Sequence, residues 1–405
     1  MRRLTGPSLI VVMCLAEILG MVSFAMFPAL MPGFIAEWSL SNTEAGWING
    51  LYFAGYTVAV PILVSMTDRV DPRRVYLVSA VVTVVSTLGF AVLAEGFWSA
   101  VALRTLAGVG LAGTYMPGLK ALSDRFEGAA QSRSIAVYTA SFGIGASVSF
   151  AIAGELAERL DWQGAFIVGG GSAFLAFIIV AVVLAPTPPK RVEPESHLLD
   201  FRPVFRNRPA MGYVLAYAAH NWELFGLRSW IVVFLVYAQS HQQDGAEWWS
   251  PPLIAAAINL VGWPASVFGN ELAVRFGRQR VVIFVMTVSA LYACCFGFTG
   301  SLPFVVVVAL SLVYGVTVTG DSASITAGVV AAARPEHRGA TMAVHSCIGF
   351  AGASAGPIVF GVVLDVAGGG SSTLAWGLAF ATMGLGVALG PIAVAFLSRE
   401  RSTNS

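Results

Sequence analysis

The sequence contains little charge. Of its 405 residues, 11% are Asp, Glu, Lys or Arg, whereas 57% are apolar and the mean hydropathy is +0.76. A typical soluble domain is about 25% charged, so these side chains are too few to cover the surface of a soluble fold of this length. The net charge of +1 also excludes a nucleic-acid-binding protein, which needs concentrated positive charge. Lipid is therefore the expected solvent.

Cysteines and catalytic motifs are also scarce. The four cysteines (Cys14, Cys294, Cys295 and Cys347) lie in apolar runs and form neither a disulfide framework nor a metal-binding pattern. The sequence has no nucleophile–base motif, phosphate-binding loop or metal-ligand cluster. We therefore predict that the protein is not an enzyme, that it needs no cofactor or metal, and that ATP does not drive it directly.

Twelve apolar runs are long enough to cross a bilayer, which requires about 20 residues per helix. They predict an all-α membrane protein with spans near 8–36, 44–65, 75–95, 98–120, 134–157, 165–185, 210–238, 250–273, 281–299, 303–327, 339–365 and 374–397. The first run is too long for a signal peptide and is expected to be a retained helix.

The basic residues predict the orientation. Of the 23 Lys and Arg, 20 fall on the side of the N-terminus, Arg159 falls on the opposite side, and Arg104 and Arg228 lie within spans. Because Lys and Arg collect on the cytoplasmic side, both termini are predicted to be cytoplasmic.

The chain divides into two halves of six spans. Residues 186–208 are rich in Pro and charge and are expected to form a cytoplasmic linker between bundles at 1–185 and 209–405. A shift of 206 residues places Glu17-Ile-Leu-Gly20-Met21 on Glu223-Leu-Phe-Gly226-Leu227. Parallel repeats of this kind are typical of transporters, whose substrate site lies at the midplane between the repeats.

Short motifs extend this interpretation. Asp68-Arg69 is followed by Arg73-Arg74 after the second span, Arg275-Phe276-Gly277-Arg278 occupies the corresponding place in the second half, and the fourth span contains Arg104-x-x-x-Gly108-x-Gly110. With twelve spans and a repeat of six, these motifs resemble those of the major facilitator superfamily over the whole chain. The first motif lacks both glycines of the family pattern, and the second lacks its Asp.

The resemblance implies a bacterial transporter of the inner (plasma) membrane, with two pseudo-symmetric six-helix bundles that work by alternating access. It also implies a cytoplasmic gate, in which Asp68 pairs with the start of helix 11 near residues 334–339. The alternative is that these charges are solvated and only fix the topology. The gate residues expected on this basis are Asp68, Arg69, Arg73, Arg74, Arg275 and Arg278.

Ionisable residues inside the spans are the candidate transport residues. A charged side chain in the membrane has a high free-energy cost and is therefore expected to have a partner or a function. Glu17 and Glu223 occupy equivalent positions in the two repeats and are expected to face each other across a central cavity. There they would bind the coupled protons. The alternative is that each is a structural lock, paired with an Arg or hydrogen-bonded.

The segment His220-Asn221-Trp222-Glu223, with Arg228 five residues further on, is the most polar intramembrane stretch. Its His220, Glu223 and Arg228 are predicted to share a helix face, and a guanidinium binds carboxylates in a bidentate manner. This face is the predicted substrate or coupling site. For Arg104, an anchor from helix 4 to helix 1, as the resemblance implies, and a transport role remain open.

Three further residues complete the candidate set. Asp321 is expected to act either in a gate or interhelical contact or in the site, and His345 either in the core or in the site. Tyr138 aligns with His345 at a shift of 207 residues, which places both near the cavity. Gly352, Gly356 and Pro357 instead predict close helix packing and a bend.

The leading hypothesis is a secondary transporter, functional as a monomer, that moves a small organic or inorganic anion together with protons. An alternative is a proton-antiporting exporter of drugs or other hydrophobic compounds, with Trp222, Trp230 and Trp263 lining an aromatic cavity. A remote alternative is a transporter-like solute sensor. The absence of a proline from helix 5 disfavours the exporter, because a Gly-Pro motif there marks exporters of the family that the sequence resembles.

Overall fold

The computed structural model describes residues 6–187, 201–242 and 250–398. Within these ranges the regular structure is helical, as predicted. The chain groups into two compact units. Of the described residues, 6–40, 47–187 and 250–260 form unit 1, and 41–46, 201–242 and 261–398 form unit 2.

Unit 1 is built from helices of the first half of the chain. They are α1 (Pro7–Gly20), α2 (Met26–Glu37), α3 (Asn42–Met66), α4 (Pro72–Leu93), α5 (Phe97–Ser123) and α6 (Gly128–Val183). The core between α1, α4, α5 and α6 includes Met13, Tyr76, Leu122, Tyr138 and Val180. The first turn of α3 groups with unit 2 and the rest of α3 with unit 1.

Apart from residues 41–46, unit 2 follows residue 200 in the described chain. Its helices are α7 (Arg202–Arg206), α8 (Arg208–Gln239), α9 (Pro251–Phe276), α10 (Arg278–Phe296), α11 (Phe304–Thr319), α12 (Ser322–Ala332), α13 (Arg338–Val366), α14 (Thr373–Val387) and α15 (Leu389–Leu397). The start of α9 belongs to unit 1. Helix α8 is central, because α11 to α15 all pack against it.

The twelve predicted spans all fall on helices, although their continuity differs from the prediction. Span 1 is broken into α1 and α2 by a turn at residues 21–25, span 10 into α11 and α12, and span 12 into α14 and α15. Spans 5 and 6 instead run together in α6, with a kink at Asp161, whose φ is 66°. The Asp161 carboxylate accepts a hydrogen bond from the Gly164 amide at 2.7 Å and so starts the second half of α6.

Eight helices in the described part of the chain are long and apolar enough to cross a membrane on length and composition. Large apolar side chains point outward along them, for example Val58, Val92, Leu385 and Phe396, each of which is more than half exposed. In a bilayer, these side chains would contact lipid. The apolar outer surface is the structural counterpart of the low charge of the sequence.

Glycines allow the predicted close packing between α8 and α13. A side chain on Gly352 or Gly356 would collide with the backbone carbonyl of Ala218 or Trp222 in α8. The prediction of a close helix contact at these glycines is therefore confirmed. The contact brings the polar stretch of α8 against α13.

Candidate functional site

Glu17 lies in a buried polar pocket of unit 1. Ser141 of α6 donates a hydrogen bond to its Oε2, and Oε1 has no hydrogen-bond partner among the described residues. A cavity of about 20 Å³ adjoins it, lined by Glu17, Gly20, Met21, Tyr76, Leu111, Thr114, Tyr115 and Tyr138. This is enough space for one water molecule, and such a water would be able to reach the open carboxylate oxygen.

Tyrosines form the wall of this pocket opposite α1. The predicted residue Tyr138 is fully buried, and its ring stacks on Tyr115 of α5 with centroids 6.1 Å apart. Sequence reasoning missed Tyr76, Tyr115 and Thr114. The sequence could have identified them, because each is a hydroxyl-bearing side chain inside an apolar span.

Arg104 is held at the break between α1 and α2. Its Nη2 donates to the Phe24 carbonyl at 3.2 Å, and its guanidinium lies over the Tyr52 ring, 4.1 Å from the centroid. A helix break leaves backbone carbonyls without intrahelical partners, and Arg104 satisfies one of them. The contact agrees with the alternative in which Arg104 anchors helix 4 to helix 1.

Ser149 of α6 stabilises the same break. Its hydroxyl accepts a hydrogen bond from the Ala25 amide at 2.8 Å and donates one to the Val22 carbonyl at 2.7 Å. The irregular segment is thus fixed from two sides, by α5 and by α6. This places the end of α1, which carries Glu17, in a defined position.

Unit 2 contains a separate buried polar cluster. Nδ1 of His220 in α8 lies 2.8 Å from Oδ1 of Asp321, and both side chains are at most 2% exposed. Asp321 occupies the junction between α11 and α12. The ring of Tyr217 stacks on His345 of α13 at 3.9 Å and lies 6.0 Å from that of His220. The structure therefore brings together three residues that the sequence identified separately.

Asn221 belongs to the same region. It is 1% exposed, its Nδ2 has no hydrogen-bond partner among the described residues, and it packs against Gly349 of α13. An amide nitrogen in this position can donate to a ligand or a water.

The side chain of Glu223 contacts α10 and not the His220–Asp321 pair. Ser289 of α10 donates a hydrogen bond of 2.8 Å to its Oε1. His220 and Glu223 are three residues apart on α8, yet the first contacts Asp321 and the second contacts α10. The hydrogen bond to Ser289 agrees with the alternative in which Glu223 is a structural lock.

Arg228 lies two turns of α8 beyond His220. It is half-buried, and its guanidinium sits over the ring of Phe225, 5.2 Å from the centroid. Such a cation–π contact holds the charge within an apolar surrounding.

The predicted gate residues lie at helix ends. Asp68 is 3.9 Å from Lys120, and Arg73 donates from Nη2 to the Ala181 carbonyl at 2.6 Å, both within unit 1. Arg69 and Arg74 are exposed. The pairing of Asp68 with residues 334–339 stays a prediction.

In the second-half motif, the glycine has a structural reason. Gly277 precedes α10 with a φ of 94°, in the left-handed region that favours glycine. Arg275 is exposed and lies over the Phe276 ring at 5.8 Å, and Arg278 is half-buried.

Asp71 and Arg125 form a cluster that sequence reasoning missed. Asp71 caps α4 by accepting from the Arg73 amide at 2.9 Å and also accepts from the Thr187 amide at 3.1 Å. Arg125 donates to the Thr187 hydroxyl at 2.8 Å and to the Ala121 and Ala185 carbonyls. Burial lowers the pKa of the Arg125 guanidinium, and the nearby Asp71 carboxylate opposes this effect. These bonds tie the end of α6 to α4 and α5.

Comparison with known proteins identifies the family. The family model of the Major Facilitator Superfamily matches residues 13–357, most of the chain. The chain belongs to the Major Facilitator Superfamily. It is therefore a multi-pass membrane protein of a transporter family, and the predicted all-α fold class is confirmed.

Individual superfamily members are distant. The niacin transporter NiaP of Acinetobacter baylyi is 25% identical over 40% of this chain and 39% of its own length. An uncharacterized transporter, YcaD of Salmonella arizonae, is 24% identical over 67% of this chain and 68% of its own length. A bacterial homolog of the human lysosomal transporter Spinster has a similar fold, with a TM-score of 0.74 and 14% identity over 96% of this chain and 95% of that chain. The first match thus spans well under half of the curated relative.

Among the described residues, no group of three or more His, Cys, Asp and Glu side chains is arranged to hold a metal ion. Each of the three named proteins is a transporter or a homolog of a transporter by name.

Proposed function

We propose that this superfamily member moves a small anion together with protons across the bacterial inner membrane, by alternating access and with both termini in the cytoplasm. The observation that carries the proposal is the carboxylate of Glu17. One of its oxygens is held by Ser141, and the other is open beside a cavity of the size of a water molecule. A carboxylate so placed can take up and release a proton at a fixed position.

Arg228 supports an anionic substrate. Arg104, the other intramembrane arginine, is bonded to the Phe24 carbonyl and holds the helix break. Arg228 carries its charge on the polar stretch of α8, where a guanidinium can bind a carboxylate through two parallel hydrogen bonds. The niacin transporter among the relatives is in keeping with a small organic solute.

Two of the tryptophans considered for a hydrophobic export cavity have structural contacts instead. Trp222 donates from Nε1 to the Thr382 carbonyl at 3.1 Å, and Trp230 donates to the Pro357 carbonyl at 3.0 Å. Trp230 is also fully buried between Phe360 and neighbouring aromatic rings. These contacts favour symport over the export of hydrophobic compounds.

The test uses purified protein in proteoliposomes loaded with a pH-sensitive dye. Acetate, lactate, succinate and phosphate are added one at a time, followed by lipophilic cations, with empty liposomes measured in parallel. We expect protons to enter with one of the anions, and the variant Glu17→Gln to stop this entry. The variant Glu95→Gln, at an exposed carboxylate between α4 and α5, is the matched control. Protons leaving against a lipophilic cation, or anion movement without protons, would refute the proposal.

A further inference from the structure

Four residues of α8 lie on one face of the helix. Tyr217, Asn221, Phe225 and Arg228 follow one another at intervals of four, four and three residues, which bring side chains to the same face of an α-helix. The Tyr217 hydroxyl interacts with the side chain of Asn221 and lies within electrostatic reach of the Arg228 guanidinium. Three hydrogen-bonding groups, one of them permanently charged, therefore line this face of α8, which we call the Arg228 face.

Aromatic rings form the apolar base of the Arg228 face. The guanidinium of Arg228 lies over Phe225, 5.2 Å from the ring centroid, and the ring of Phe350 on α13 lies 5.7 Å from that of Phe225. Both phenylalanines are buried, whereas Tyr217 and Arg228 are half-buried. At the other end of the face, the ring of Tyr217 stacks on His345. The polar groups of α8 thus border an aromatic surface.

Gly349 of α13 makes room for the middle of the Arg228 face. A Cβ atom at this position would come within 2.2 Å of Cδ1 of Tyr217 and 3.1 Å of Nδ2 of Asn221. The amide nitrogen of Asn221 carries two hydrogens, so it can donate to a ligand even where one of them is directed at Tyr217. The face therefore combines an amide donor, an aromatic base and a guanidinium.

From this arrangement we infer that the transported anion is an aromatic monocarboxylate with a second hydrogen-bond acceptor on its ring. Its carboxylate binds the edge of the Arg228 guanidinium, and its ring packs against the aromatic base. The acceptor receives a hydrogen bond from Asn221. Asn221 and Phe225 are one helical turn apart, about 5.4 Å, a distance that a single six-membered ring with two polar groups bridges. The inference rests on the binding of an anion by Arg228 in the proposed function.

The charges of α8 and α13 favour a single carboxylate. After Arg208 at its start, α8 contains Arg228 as its only Lys or Arg, and α13 contains none after Arg338. Succinate and phosphate carry a second negative charge. On the Arg228 face, that charge would meet the aromatic base instead of a cation, and an unpaired buried charge has a high desolvation cost. An aromatic ring meets no such penalty there.

The first test measures equilibrium binding to the purified full-length protein by isothermal titration calorimetry at neutral pH. Isonicotinate has a carboxylate, an aromatic ring and an acceptor opposite the carboxylate. Benzoate lacks the acceptor, cyclohexanecarboxylate lacks the aromatic ring, and acetate has the carboxylate alone. We expect the Kd to rise in that order, about threefold or more for loss of the acceptor. Equal Kd values, tighter binding of acetate, succinate or phosphate, or no binding of the two aromatic acids would overturn the inference.

The second test assigns these preferences to residues. Asn221→Leu should remove the preference for isonicotinate over benzoate and leave the Kd of benzoate unchanged, and Asn221→Ala takes its place if that variant does not fold. Phe350→Leu should remove the preference for benzoate over cyclohexanecarboxylate and leave the Kd of acetate unchanged. Leu215→Ala, at an exposed side chain of α8, is the matched control and should bind all four as wild type does. Wild-type preferences in both site variants would refute the assignment.

The outcomes separate this inference from the proposed function, because binding needs no proton gradient. If protons enter with an anion of the first panel and isonicotinate neither binds nor competes, the substrate class is refuted and the proposed function stands. If isonicotinate binds with the expected preferences and is exchanged without protons, the proposed symport is refuted and the substrate class stands. If no anion binds and protons leave against a lipophilic cation, both are refuted.

Discussion

The carboxylate of Asp365 caps the N-terminus of α3 by accepting from Thr43. Oδ2 of Asp365 lies 2.7 Å from both the backbone nitrogen and the hydroxyl of Thr43, and Oδ1 accepts from the amide and side chain of Asn42 at 3.2 and 2.7 Å. The first amides of a helix have no intrahelical partners, and a negative charge there is favoured by the helix dipole.

Substitution of Asp365 should destabilise the first turn of α3. Asp365→Ala removes all four acceptor contacts, so we expect a loss of about 1–2 kcal/mol, as for other helix caps, seen as a lower Tm of the purified protein. Asp365→Asn keeps one acceptor oxygen and should lie between Ala and wild type. An unchanged Tm for Asp365→Ala would show that the capping box of Ser41 and Glu44 suffices.

Glu17→Gln should separate proton coupling from solute movement. Gln resembles the protonated carboxyl in shape and can still accept from Ser141, so the helices should stay packed. We expect proton entry with the anion to be abolished, whereas exchange of labelled anion across the membrane continues. Equal loss of both activities with a lower Tm would instead assign Glu17 to structure.

Glu223→Gln should behave differently from Glu17→Gln. Because Ser289 bonds Glu223 in unit 2, we expect Gln to preserve this contact and proton entry to stay near the wild-type level. Glu223→Ala should lower the Tm, because it leaves Ser289 unpaired and creates a void in the core. The lost hydrogen bond alone should reduce the free energy of unfolding by about 1–3 kcal/mol. Abolished proton entry in Glu223→Gln would make this carboxylate a coupling residue.

The sequence predicts the spans better than their interruptions. Hydropathy counts apolar side chains and carries no information on backbone dihedrals. The turn at residues 21–25 and the junction at Asp321 both lie inside apolar runs, and hydropathy therefore does not reveal them. The fold class required only composition and length. The breaks require knowledge of which neighbours, such as Arg104 and Ser149, satisfy the freed backbone groups.

Candidate residues were identifiable one by one, whereas their partners were not. His220 and Asp321 each stand out as ionisable side chains in apolar surroundings, but their contact joins α8 to the α11–α12 junction and no local pattern encodes it. Asp365 and Asp71 were missed for a related reason. Acids at helix ends look like ordinary topology charges until the helix they cap is known.

Arg104→Ala should destabilise the protein with little direct effect on the substrate. Its loss leaves the Phe24 carbonyl buried without a donor. An unsatisfied buried acceptor lowers the free energy of unfolding by about 1–3 kcal/mol, so the Tm should fall. Arg104→Lys should recover part of this stability, because an ammonium can donate to the carbonyl but lacks the planar face that lies over Tyr52. A variant with normal Tm and a greatly raised KM would show that Arg104 binds the substrate.

Arg228→Ala should weaken anion binding. The proposed symport requires a fixed positive charge on α8, and loss of a charge-assisted hydrogen bond of about 1.5–3 kcal/mol should raise the KM for the transported anion about tenfold or more. Arg228→Lys retains the charge but cannot form two parallel hydrogen bonds to a carboxylate, so its KM should fall between those of wild type and Arg228→Ala. Arg206→Ala, at an exposed arginine of α7, controls for a general loss of positive charge. An equal KM in all four proteins would remove Arg228 from the substrate site and leave the anion preference without its main support.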